Sequence, residues 1–373
     1  MEKCLHVLPM NKLSGAEKMA LLICKNLKNY EPVVVCGGKN LKKVFENEGI
    51  EAVALNFKTL QMIGTLATIK DIIKKGNIKI VHAHDNTASA CCYMIKQLYR
   101  LKFKIVSHIH NCYPFLESEG INKRIDMYLR PKYDFNIACG STVYNYYSEN
   151  ALYFDKSTLV MSNAIDVEEI DKYKSNKREE IIAQYNIPKG KTILGFIGRL
   201  DEQKGILPFL DEAKNYSKQL DDCRILMVGD GSQEDIIKEK VKKLDLQDLF
   251  IFTGFQDNTY DYYSIIDVFF LPSKYEGLPM VILEAMAFRK AVVSMNVGSI
   301  SEVINDNTGC LIESGDYEGF LKSLTEVKDN KKLIVNYGEK AYEHIRDNYH
   351  ISKYVEVLEK EYGKLLMSDR RII

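Results

Sequence analysis

The sequence has no net charge, no long apolar run, no CxxC pair, no internal repeat and no low-complexity tract. Each absence excludes a class. Without a run of about 20 apolar residues, no membrane-spanning helix is expected. The opening MEKCLHVLPMNKLSG holds too short an apolar stretch for a secretory signal and lacks a small-residue cleavage site. A cytoplasmic protein is therefore expected, with peripheral attachment to the inner face of a membrane compatible with the sequence. The nine cysteines form an odd set with mostly apolar neighbours, which reads as reduced core thiols rather than a disulfide framework. No GxGxxG dinucleotide fingerprint is present. No DxD-like triplet stands in a plausible loop, so neither a metal nor a cofactor is assigned.

What is present is alternation. At 373 residues the chain exceeds the size at which one hydrophobic core keeps growing, and two domains are expected. Short apolar runs predict strands at Cys4–Leu8, Pro32–Cys36, Ala52–Leu55, Ile78–Ala83, Phe103–His108 and Phe135–Cys139. A second series follows at Thr192–Ile197, Arg224–Val228, Phe250–Phe252, Val268–Leu271 and Ala291–Ser294. Amphipathic segments lie between them, so each series predicts an α/β domain with a doubly wound parallel sheet. The expected division is 1–164, 165–350 and a C-terminal helix in 351–373 packing back toward the first domain, with the two sheets facing across a cleft. Residues 1–164 carry 22 Lys and Arg against 14 Asp and Glu, and the remainder carries 29 against 37. The basic half suits a negatively charged partner such as an anionic membrane surface or a lipid-linked acceptor; no nucleic acid is assigned. A modest imbalance with no partner fits equally well.

The stretch Val268–Phe288, VFFLPSKYEGLPMVILEAMAF, carries most of the chemistry. A strand ends near Leu271, and Pro279 stands where a helix starts. Glu284 falls inside an otherwise apolar helical run, where a carboxylate is costly unless hydrogen-bonded. Ribose hydroxyls of a nucleotide would supply donors. Glu276 precedes the helix in the loop, and the amides around Gly277, Leu278, Pro279 and Met280 would face a phosphate, Pro279 itself having none to give. A lone Glu is more often a surface residue, but the flanking residues leave Glu284 little polar face. In TILGFIGRLDEQKGI (192–206), Arg199 and Lys204 follow a strand and could neutralise a diphosphate. VGDGS (228–232) offers Gly231 for close backbone approach, and LSGAE (13–17) offers Gly15 before a helix; both are also ordinary βα turns. Four of the seven histidines are His82, His84, His108 and His110. His110 closes a strand-like run and reads as a sugar-hydroxyl contact, with His84 and His108 structural. A metal would need ligands from elsewhere.

Taken together, LSGAE, HIHN, SNAID, FIGRLDEQKG, VGDGS, FTGF and EGLPMVILEAMA make the chain resemble the family 4 glycosyltransferases. These are retaining enzymes of GT-B architecture, with two Rossmann-like domains, and the resemblance runs over nearly the whole chain. It implies Glu284 on the donor ribose and Glu276 by the hydroxyls of the transferred sugar. It further implies Arg199 and Lys204 on the diphosphate, Gly15 near the phosphate, His110 by the reaction centre and Phe255 near the base through its backbone. The expected reaction moves a sugar from a nucleotide-diphosphate donor, a UDP-sugar in preference, to a glycan or lipid-linked acceptor in surface polysaccharide or glycolipid assembly. The catalytic set is then His110, Glu276, Arg199 and Lys204, metal-independent. The family commonly has two glycines in the first loop; here the first is Ser14. Alternatives are a nucleotide-sugar epimerase of the same architecture and a non-catalytic sugar-nucleotide-binding subunit.

Overall fold

A computed structural model describes residues 1–58, 61–151, 157–173, 175 and 177–368. It divides into two compact units: Met1–Ala164 with the chain from Tyr349 onward, and Ile165–Asn348.

The first unit holds β1 (Glu2–Leu8), β2 (Tyr30–Cys36), β3 (Glu51–Ala54), β4 (Ile80–His84), β5 (Lys104–Ile109), β6 (Phe135–Ala138) and β7 (Thr158–Val160). They pair in the order β3-β2-β1-β4-β5-β6-β7, all parallel. β1, β4 and β5 are almost wholly buried, as expected of central strands covered on both faces. The helix Ile351–Ser368 belongs to this unit. Its Glu359 accepts from the backbone amides of Lys28 and Asn29 at 2.7 Å, and its buried Tyr362 hydroxyl lies 2.6 Å from His82 Nδ1. Of the 351–373 segment, residues 369–373 lie outside the described residues.

The second unit holds β8 (Thr192–Ile197), β9 (Cys223–Val228), β10 (Phe250–Gly254), β11 (Val268–Leu271), β12 (Ala291–Asn296) and β13 (Gly309–Glu313). Their order is β10-β9-β8-β11-β12-β13, again all parallel. Both sheets reverse winding direction once, between β1 and β4 in the first and between β8 and β11 in the second. Ligands of doubly wound sheets bind beyond the strand carboxyl ends at such reversals. The loops after β1, β4, β8 and β11 are thereby singled out. β7 and β13 are additional to the strands expected from sequence. All nine cysteines are free thiols, eight of them buried. No helix among the described residues is long and apolar enough to cross a membrane.

Candidate functional site

In the second unit the loops after β8 and β11 are fastened together. Lys274 N donates to Gln203 O at 2.8 Å, and Gln203 Nε2 donates to Tyr275 O at 2.9 Å. Gly205 sits between them at φ +66, and a Cβ there would stand 2.1 Å from the Pro272 carbonyl oxygen. Only glycine meets both conditions. Gly205→Ala is expected to destabilise the unit by about 2 kcal/mol or more and to lower activity by prising the loops apart; an unchanged denaturation midpoint and rate would refute this.

These fastened loops close on Glu276. Its carboxylate is buried and accepts from Lys204 Nζ at 2.5 Å, Ser273 Oγ at 2.7 Å and Gln203 Nε2 at 3.1 Å. Lys204 is itself buried. Burial of an ion pair is tolerated only when further hydrogen bonds satisfy the remaining lone pairs, and Ser273 and Gln203 do this. Arg199 and Lys204 have different surroundings. Arg199 is exposed, with Nη1 3.2 Å from Asp201 and Nη2 3.5 Å from Gln203. Lys204 holds a carboxylate while Arg199 faces solvent.

Eight residues beyond Glu276, the helix Met280–Ala287 buries nearly all its residues. Glu284 is 1 % exposed, as its apolar flanks require. The Tyr263 hydroxyl donates to Glu284 Oε2 at 2.9 Å, so a protein donor already meets part of the need that ribose hydroxyls alone were expected to meet. Burial, with the neighbouring Glu284 charge, holds the Tyr263 hydroxyl well above its usual pKa. Pro279 caps the helix start. Gly277 and Leu278 are buried just before it, and Ser299 N donates to Gly277 O at 2.8 Å.

Gly231 is exposed in the turn after β9. A Cβ there would meet the Leu200 carbonyl oxygen at 2.3 Å, so backbone packing against the β8 loop is reason enough for this glycine. Phe255 follows β10 and is 44 % exposed.

In the first unit, Gly15 opens the helix Gly15–Asn26 at an exposed position. Ser14 caps that helix: its amide donates to Glu17 Oε2 at 3.3 Å and its hydroxyl donates to the same oxygen. The serine at the family's glycine position is thus engaged within the chain as a capping box. His110 lies one residue past β5, with Nε2 3.2 Å from His84 Nδ1. His84 Nε2 meets His6 Nδ1 at 3.0 Å, and His108 Nδ1 meets His82 Nε2 at 3.2 Å. His84 and His108 thus belong to an array of five imidazoles, four of them buried. Desolvation holds all five below their ordinary pKa, His6 and His110 down to about 3.

Sequence reasoning passed over His6 and Asp85. Asp85 follows β4 at the winding reversal, with φ +100, a rare conformation for a residue with a side chain. It caps the next helix by accepting from Ala88 N at 2.8 Å. Burial pushes its carboxyl up to about 7. The available signal was its place after a buried HxH strand.

Residues 13–169 match the family model described as Glycosyltransferase Family 4, and residues 177–344 match the one described as Glycosyl transferases group 1. The chain is 26 % identical over 338 residues to the N-acetyl-alpha-D-glucosaminyl L-malate synthase of Bacillus anthracis, covering 88 % of this chain and 87 % of that one. It is 23 % identical over 353 residues to the Escherichia coli UDP-Gal:alpha-D-GlcNAc-diphosphoundecaprenol alpha-1,3-galactosyltransferase, covering 89 % of each. Among solved structures, Anabaena HepE in complex with UDP-glucose superposes with a TM-score of 0.86 at 18 % identity, covering 97 % of this chain and 99 % of that one. Sucrose-phosphate synthase from Thermosynechococcus elongatus gives 0.80 at 15 %, covering 98 % of this chain and all of the other. At these identities the structural likeness establishes the fold.

Proposed function

Because the chain belongs to the family 4 glycosyltransferases of GT-B architecture, we propose that it transfers a sugar, with retention, from a UDP-sugar to a glycan or lipid-linked acceptor in surface polysaccharide or glycolipid assembly. The observation that carries this reading is the pair of buried carboxylates, Glu276 and Glu284, flanking a helix N-terminus beside the winding reversal of the second sheet. The relative named for a galactosyl transfer from UDP-Gal, and HepE solved with UDP-glucose, support the donor class.

In this reading Glu284 accepts from the donor ribose while Tyr263 holds its other side. Glu276 accepts from hydroxyls of the transferred sugar. The bond from the anomeric carbon to the diphosphate oxygen breaks, and the electron pair leaves with the phosphate. Lys204, Arg199 and the start of the helix Met280–Ala287 stabilise that developing charge without a metal. The acceptor hydroxyl attacks from the face the diphosphate leaves, and its proton goes to the departing phosphate. No carboxylate is assigned as a covalent nucleophile; Lys204 and Ser273 hold Glu276 Oε1 and Gln203 holds Oε2, which keeps acceptor capacity for a sugar hydroxyl. The first unit is assigned the acceptor, and basic surface on it would suit peripheral docking on an anionic membrane.

The test is UDP release from a panel of UDP-sugars with and without glycan or lipid-linked acceptors. Acceptor-dependent release with an α-configured product from an α-configured donor is expected; isomerised donor without acceptor would establish an epimerase instead. Glu284→Gln keeps the shape of the side chain and removes its charge. It is expected to raise the donor KM roughly 10- to 100-fold, the value of hydrogen bonds to a charged group, and to shrink the stabilisation given by UDP. Donor affinity equal to wild type would remove Glu284 from the ribose.

A further inference from the structure

We propose that the outer face of the helix Ile121–Leu129 docks on an anionic lipid bilayer, with Ile121, Ile125 and Tyr128 entering the interface and Arg124 and Lys132 meeting the headgroups. This anchor rests on the reading that the first unit meets a lipid-linked acceptor, and it gives that meeting a defined surface.

The helix is inside out. A surface helix ordinarily turns its apolar stripe to the core and its charges to water. Here Ile121, Ile125 and Tyr128 are 73, 46 and 64 % exposed, and their spacing places them on one face. The charged pair lies inward instead. Asp126 and Arg130 are buried, with Arg130 Nη2 donating to Asp126 Oδ1 at 2.5 Å and Nε to Oδ2 at 2.9 Å. Arg130 also donates to Asn86 Oδ1 at 2.9 Å and to Asn136 Oδ1 at 3.2 Å. The end of the helix is thereby tied to the helix Asn86–Leu98 and to β6.

This network fixes which face looks out. Rolling the helix to cover the isoleucines would pull a buried ion pair apart and leave each charge without its partner, which is strongly destabilising. The apolar stripe is therefore a standing feature of the surface. A stripe held in water in this way marks a site of association.

The charges identify the occupant. Residues 121–132, INKRIDMYLRPK, hold four cations and one acid. Arg130 and Asp126 neutralise one another inside. Lys123 pairs with Glu119 at 2.8 Å, and Glu117 accepts from the Tyr146 hydroxyl at 3.0 Å. Arg124 and Lys132 are exposed and pair with no acid among the described residues. Lys132 Nζ stands 4.0 Å from the centre of the Tyr128 ring. Tyrosine and basic side chains beside an apolar stripe are the composition of a membrane-interface element. A protein partner fits less well. Three side chains on a nine-residue helix fall short of the roughly 800 Å² per partner of a stable protein interface, whereas a bilayer needs no matching surface.

The experiment sediments the full chain with vesicles of phosphatidylcholine, with and without phosphatidylglycerol, at low salt. Binding is expected only where phosphatidylglycerol is present. Ile121→Gln/Ile125→Gln should lower vesicle affinity roughly 10- to 100-fold. Both sites are exposed and Gln is a good helix former, so the thermal midpoint should hold. Arg124→Gln/Lys132→Gln should lower affinity roughly 25-fold, about five-fold per charge, and flatten its dependence on salt. UDP release with a short-chain, water-soluble acceptor should be unchanged in both variants. No binding to phosphatidylglycerol vesicles, equal binding to both kinds, or binding indifferent to the isoleucines would overturn the proposal. So would a concentration-dependent dimer in sedimentation velocity that the isoleucine variant abolishes, since a second copy would then cover the face. Vesicle binding is scored without donor or acceptor, so its failure is distinguishable from failure of the transfer reading.

Discussion

Lys204→Met is expected to lower kcat by roughly 10²- to 10³-fold, the loss typical of removing one group that stabilises developing transition-state charge. The same change strips a buried carboxylate of its counterion. Glu276 would keep Ser273 and Gln203 as donors, yet breaking a buried ion pair from one side costs about 3–5 kcal/mol. Lost activity alone would therefore not separate chemistry from damage. The double variant Lys204→Met/Glu276→Gln, compared with Glu276→Gln alone, does, because an amide needs no counterion. Its denaturation midpoint should return most of the way to wild type while its rate stays well below that of Glu276→Gln. A rate equal to that of Glu276→Gln would mean that the ammonium group only neutralises Glu276 and never serves the leaving group.

A comparably large effect is expected in acid. The protein should lose its first unit between pH 6.5 and about 5. His6, His82, His84, His108 and His110 are neutral when folded because burial lowers their pKa values, two of them to about 3. Above pH 6.5 both folded and unfolded chains hold these rings neutral, and the array contributes nothing. Below it the unfolded chain takes up protons that the folded chain refuses. Each ring then withdraws about 1.4 kcal/mol per pH unit, so at pH 5.5 five rings withdraw about 7 kcal/mol. Asp85 works the other way. Its carboxyl is raised to about 7, so ionised Asp85 costs stability at neutral pH, and acid relieves about 2 kcal/mol of that by pH 5.5. The histidines win by about 5 kcal/mol, comparable with the whole stability of a typical domain. Thermal melts followed by near-ultraviolet circular dichroism at pH 7.5 and 5.5 would show it. A midpoint independent of pH would mean that the rings find solvent or partners in the folded state.

The alternation of strand and helix was legible because parallel strands make short apolar runs, and this picked out eleven of the thirteen strands, including β3 and β10 at sheet edges. β7 and β13, at the opposite edges, were not picked out: β7 has three residues, none buried, and β13 runs from a glycine to an exposed glutamate. The burial of Glu284 could be read from its neighbours. The clasp of Lys204 on Glu276 could not, since it joins residues 72 apart whose loops meet only because β8 pairs with β11. Tyr263 was overlooked for the same reason, as was His6, a lone histidine until β1 is laid beside β4.

The helix Ile351–Ser368 belongs to the first unit although the whole second unit precedes it in the chain. A ribosome therefore delivers the first seven strands long before the piece that covers them, and Tyr362 reaches His82 only after some 200 further residues have been translated. Until then the imidazole array lies open on a nascent sheet. The second unit, being continuous, is under no such delay and can be finished first.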